Sequence, residues 1–211
     1  MTDSLYEGFA DPTDRFEEEP RAFCYRLAED LVSKSRQEEP EDWYTSSETV
    51  QGILLLLFTW NYAARATKKL THEAIRALLE ESRGRLRELQ PFSIESATKD
   101  IPWNTIACVF DSFKQELGQT GASKALSLLN PDLFVMWDTA IRKRLRGREI
   151  PGIANGQTGE HYVRFLKGIQ TIMEDHDIAD QLPDGCCLAK KIDEYHYLRI
   201  VRDGKRSRQT C

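Results

Sequence analysis

Lys124 and Asp138 are the two residues whose types and surroundings could do chemistry together. Lys124 follows the turn Gln119-Thr120-Gly121-Ala122-Ser123 and enters the first turn of a predicted short apolar helix, with Ser123 as its cap. Asp138 arrives after a Pro-containing link, at the start of a second, basic helix. Each is thus expected at a helix N-terminus, where free backbone N–H groups and the positive end of the dipole gather. That field, with partial burial, favours an uncharged lysine amine able to attack a carbon centre. A carboxylate beside it stabilises a developing cationic sugar or deprotonates a water. Both heads are expected in one cleft, an arrangement suited to chemistry on a nucleotide. The same residues have a plainer explanation: Lys124 as a surface lysine, Asp138 as an ordinary helix cap.

The turn before Lys124 carries a second expectation. A helix ending at Gly118 and another starting near Ser123 make a tight hairpin whose second N-terminus binds phosphate without base preference. Thr120, Gly121 and Ser123 are the candidate phosphate holders on that turn, with Arg142 and Lys143 on the basic helix. Trp137, Phe134, Trp103 and Tyr162 are candidates for an apolar base pocket, although an aromatic side chain in a helical protein is more often core. His161, Arg164 and Lys167 share a helical face that reads more readily as wet than as part of the cleft.

These residues are positioned by a chain that reads as all-α, with about eight helices and no internal repeat. Phe23, Leu27, Leu31 and Val32 recur at helical spacing from Arg21 to Arg36. A strongly apolar helix is predicted from Ser47 to Thr67, and Thr71 caps the next one, running toward Gly84 or Leu89. Pro102 stands where a first-turn proline belongs, opening a helix through Ile106, Val109, Phe110, Phe113 and Leu117 that Gly118 stops. After Asp138–Leu145 and the glycine-rich loop Gly147–Gly159, helices follow from Glu160 to Glu174 and from Asp184 to Val201. Residues 1–20 read as an acidic lead-in, flexible or loosely docked, 21–203 as one helical domain, and 204–211 as a basic tail.

Composition narrows the classes. The 211 residues carry a net charge of −5, against general nucleic-acid binding by the whole surface. The imbalance is local, however: residues 1–50 hold fourteen acids and five bases, leaving the remainder basic. Arg142, Lys143, Arg144, Arg146 and Arg148 form one basic cluster, and Lys205, Arg206 and Arg208 another. The apolar run Ile53–Phe58 falls far short of the ~20 residues a membrane span needs, and no signal-peptide pattern opens the chain. An intracellular protein with reduced thiols is expected: the five cysteines form no CxxC pair and the four histidines no i, i+4 pair. No metal or other cofactor is expected.

The segment Gly121-Ala-Ser-Lys124, the apolar helix, the Pro link and then Trp137-Asp138-Thr139-Ala140-Ile141-Arg142-Lys143 together resemble the core of the helix-hairpin-helix DNA glycosylases. In that family a Gly-x-Gly hairpin and a lysine lead to a Val-Asp-Thr-His-Val-Arg-Arg-like segment. Here Gly121 alone stands where the family has two glycines, Ala140 replaces the histidine, and the interval from Lys124 to Asp138 is several residues shorter. The resemblance implies a base-excision repair glycosylase acting as a monomer on duplex DNA, in a nucleoid-associated cytoplasmic or a nuclear setting. A damaged base is flipped into the pocket, Asp138 stabilises the oxocarbenium-like sugar, and Lys124 attacks C1′ to form a Schiff base, adding lyase activity. The alternative is a non-catalytic helical module, binding nucleic acid or protein on the same scaffold. A third reading is an unrelated helical protein.

Overall fold

The computed structural model describes residues 5–7, 9–60, 70–96, 98–146, 149–150, 152–153, 158–183 and 185–202. Among them are eight α-helices: α1 Thr13–Glu17, α2 Ala22–Glu38, α3 Ser47–Trp60, α4 His72–Leu89, α5 Trp103–Leu129, α6 Thr139–Leu145, α7 Gly159–Asp175 and α8 Leu188–His196. A π-helical turn, Tyr197–Arg202, extends α8. The described residues form no strand, only an isolated bridge between Arg146 and Ile150. The chain is all-α, as its periodicity predicts. None of these helices is long and apolar enough to cross a membrane. The second part of the helix predicted over 47–67, much of the glycine-rich loop and the basic tail lie outside the described residues.

Helices α2 and α3 pack antiparallel. Gly52 of α3 lies so close to α2 that a Cβ there would come within 2.9 Å of the Ala28 carbonyl oxygen. Further along, Trp60 Nε1 donates to the carbonyl of Arg21 at 3.2 Å. This close approach turns Ala28 and Val32 toward α3, and with them Ala22 and Tyr25 face inward. Helical spacing alone predicts Phe23 and Leu27 on that face. Phe23 is instead 71% exposed and Leu27 40%. Burying Ile53, Leu56 and Leu57 completely offsets that exposure, at about 1.5–3 kcal/mol for each fully buried side chain.

Two caps are as predicted. Thr71 accepts a hydrogen bond from Ala74 N at 3.2 Å, and Asp138 accepts one from Ile141 N at 2.8 Å. The turn after Gly118 is not. Gly118 adopts φ 70°, ψ 167°, a region essentially reserved for glycine, and breaks α5 at that one residue. The helix resumes at once, so Gln119–Ser123 is helix rather than hairpin loop. Because the break needs only one residue, Ser123 and Lys124 fall in the second turn. Ser123 Oγ is not a cap; it donates to the Thr120 carbonyl at 3.2 Å and accepts from Trp137 N at 3.0 Å.

The described residues of the lead-in, 5–7 and 9–20, pack against the helical body. Leu5, Tyr6, Phe9 and Phe16 are buried. Tyr195 OH donates to the Leu5 carbonyl at 2.8 Å, and the Tyr6 hydroxyl shares a 2.5 Å hydrogen bond with His196 Nε2. Acidic composition implies a flexible or loosely docked arm; aromatic residues every few positions supply the apolar surface that docks its described part on α8.

Candidate functional site

Lys124 and Asp138 line one cavity of about 40 Å³, room for a few waters. The second half of α5 presents Lys124, and the N-terminus of α6 presents Asp138. The link between them is fixed at its start by Asn130, whose Nδ2 donates to the Leu89 carbonyl at 3.0 Å. Lys124 is buried, and its Nζ donates a hydrogen bond to the carbonyl of Trp60 while lying 5.9 Å from that ring's centre. Asp138 is half-buried; Oδ1 caps α6, and Oδ2 accepts no hydrogen bond from the described residues. The rings of Phe16, Tyr25, Trp60 and Tyr197 complete the apolar wall.

Two further carboxylates face the same cavity, Asp193 and Glu194 of α8. Asp193 Oδ2 accepts from Ser127 Oγ at 3.0 Å and Oδ1 from Met136 N at 2.5 Å. One side chain thereby ties the Lys124 helix, the link to Asp138, and α8. Burial pushes the Asp193 carboxyl well above the ordinary range, against the pull of those two hydrogen bonds and of Lys124. Glu194 is pushed up by burial as well, with Lys191 and Lys190 drawing it back. Such groups persist only when hydrogen-bonded or paired. Sequence reasoning missed both. A signal was present: Asp193 stands four residues after buried Ala189 and three before buried His196, so it falls on the apolar face of α8.

The other expected site residues do not gather here. Trp137, Phe134 and Tyr162 are wholly buried. They stack with one another and with Phe110 and Phe165; the Phe110–Tyr162 ring centres are 4.2 Å apart, and Tyr162 OH donates to the Val135 carbonyl at 2.8 Å. They form core, not a base platform; the rings at the cavity come from other elements. Trp103 is half-buried away from the cavity, with Lys167 Nζ 4.9 Å from its ring centre and its Nε1 donating to the Thr98 carbonyl at 2.7 Å.

The expected phosphate holders are likewise separated. Gly121 and Ser123 are buried within α5, and Thr120 is half-buried. Arg142 Nη1 donates to Gln119 Oε1 at 2.6 Å, which ties α6 to the restart of α5. Lys143 is exposed. On α7, Arg164 and Lys167 are exposed, and His161 Nδ1 shares a 2.6 Å hydrogen bond with Thr158 Oγ1.

Among the described residues, no group of three or more His, Cys, Asp or Glu side chains could hold a metal ion. Cys24, Cys108, Cys186 and Cys187 are free thiols, and burial drives the Cys187 thiol far above its usual range. The described residues bring one amine and three carboxylates to an aromatic-walled cavity. Comparison with protein-family models, with curated proteins and with solved structures finds no match for this chain.

Proposed function

We propose that this chain is a DNA base-excision glycosylase whose chemistry is centred on Asp138. The supporting observation is that Asp138 and Lys124, distant enough in sequence to face anywhere, line one cavity walled by aromatic rings. Asp138 serves two purposes: Oδ1 holds the N-terminus of α6, leaving Oδ2 to stabilise positive charge developing on a sugar as its glycosidic bond breaks. Lys124 is the candidate nucleophile for a Schiff base at C1′, which requires release of its amine from the Trp60 carbonyl. A duplex DNA partner, monomeric action and a nucleoid-associated or nuclear setting belong to this same proposal. The cavity as it stands admits waters and not a base, so productive binding must move part of its wall.

A second reading is a helical nucleic-acid- or protein-binding module without the chemistry. It draws on the engagement of the Lys124 amine and on the small size of the cavity. Incubation with duplexes carrying single damaged bases, with borohydride present, separates the two. The glycosylase reading expects base release, with a covalent adduct where Lys124 attacks. Salt-sensitive DNA binding that survives Asp138→Ala, with no base release from any lesion, supports the module.

A further inference from the structure

The Lys124–Asp138 cavity has a larger neighbour of about 250 Å³, bounded by residues of α1, α2 and α8. Phe16, Tyr25 and Glu194 line both. Glu194 is only 6% exposed, yet its Oε2 accepts no hydrogen bond from the described residues. Lys191 Nζ pairs with it only loosely, at 3.7 Å, beyond hydrogen-bonding distance. Lys191 is committed elsewhere, to Asp11 at 3.1 Å and to Thr13 Oγ1, while Lys190 bonds Glu29 at 2.8 Å. A buried carboxylate oxygen without a donor is costly, so a group that satisfies it must bring its own N–H or O–H. The rings of Phe16 and Tyr25 line the same cavity at nearly right angles to one another, so a flat partner can stack on one while its edge meets the other.

We propose that the larger cavity binds an amino-bearing nucleobase, with Glu194 Oε2 accepting a hydrogen bond from the exocyclic amine and Phe16 and Tyr25 packing against the ring. This rests on the base-excision reading and names the class of base it selects. Glu194 is then a specificity-determining residue: a carboxylate reads an amine as it reads the N4 amine of cytosine in duplex recognition. It stands on the shared wall, between the base and the cavity that carries Asp138.

The test is calorimetric titration of the full chain with 9-methyladenine and with 1-methylcytosine. Each is compared with its counterpart whose exocyclic amine is dimethylated and so has no N–H. At least one amine-bearing base is expected to bind, its dimethylated counterpart tenfold or more weakly. Glu194→Gln should weaken the same base by a similar factor while leaving the urea unfolding midpoint near that of the wild type. Should that variant fold poorly, the dimethylated bases still decide the matter on the wild-type chain. Equal affinity for amine and dimethylamine, unchanged affinity in a folded Glu194→Gln, or no binding of either base at millimolar concentration overturns the assignment. Base release from duplex DNA is scored separately. Release indifferent to the amine and to Glu194 leaves the glycosylase reading standing and overturns this one; amine-dependent binding without release does the reverse.

Discussion

Asp193 Oδ1 accepts the backbone N–H of Met136 at 2.5 Å, so a carboxylate on α8 holds the strand of link that delivers Asp138 to the cavity. Its other oxygen accepts from Ser127, one turn beyond Lys124 on α5. The site is thus organised by a residue that the Lys–Asp spacing never indicated.

Removing that carboxylate should be expensive. Asp193→Ala leaves the Met136 N–H and the Ser127 hydroxyl without their acceptor and takes an opposite charge from Lys124. A destabilisation of several kcal/mol is expected, about 1–3 kcal/mol for each of the two donors left without an acceptor. Asp193→Asn keeps an acceptor oxygen and should lose less. Urea unfolding of the two variants checks the order; equal and small losses contradict the organising role.

Capping and chemistry at Asp138 can be pulled apart. Asp138→Asn retains a good N-cap, so stability should stay within about 0.5 kcal/mol, whereas Asp138→Ala should lose about 1 kcal/mol. Both should abolish base release, because neither carries the charge. Activity that follows the cap rather than the charge contradicts the proposed role.

Gly118 is irreplaceable for its backbone and not for space. A Cβ there would meet nothing within 4 Å, yet φ is +70° with ψ 167°. Gly118→Ala should cost about 1–3 kcal/mol from backbone strain alone. Asparagine should not rescue it, since asparagine tolerates the left-handed helical region rather than this one. Thermal or urea unfolding of both variants is the measurement.

His196 sets an acid limit. Its ring is buried against Tyr6, and desolvation lowers its pKa from 6.5 to about 3. The unfolded chain therefore takes up a proton below pH 6.5 that the folded chain refuses, so this contribution is complete above pH 6.5 and is lost as pH falls toward 3. By pH 5 the loss from this one residue should reach about 2 kcal/mol. Asp193 and Glu194 act in the opposite sense, their raised pKa values favouring the folded state as they protonate. Comparing the pH dependence of unfolding in wild type and His196→Gln isolates the histidine: the variant should lose less stability between pH 7 and pH 5. Parallel curves contradict the assignment.

The sequence discloses helix ends better than helix faces. Thr71 and Asp138 were legible because a cap is a local bond between a side chain and an amide three residues on. Gly118 was legible as a break, but its dihedral angles were not, and those decide that the helix resumes immediately and carries Lys124 into the interior. Trp137, Phe134 and Tyr162 looked like a base platform because nearness in sequence to Asp138 says nothing about which way a ring points. Their burial follows from the packing of α5 against α7, which is settled by the whole chain. Phe23 and Tyr25 illustrate the same limit, since the close approach of Gly52 selects the inward face of α2.

Whether Asp138 does glycosidic chemistry in the cavity it shares with Lys124 is decided by single-turnover base release across a panel of singly damaged duplexes, with borohydride present. Wild type should release base from at least one lesion, and Asp138→Asn should lose that release at unchanged stability. A covalent adduct, if formed, should vanish in Lys124→Gln. No release from any lesion, or release undiminished in a folded Asp138→Asn, would contradict glycosidic chemistry at Asp138.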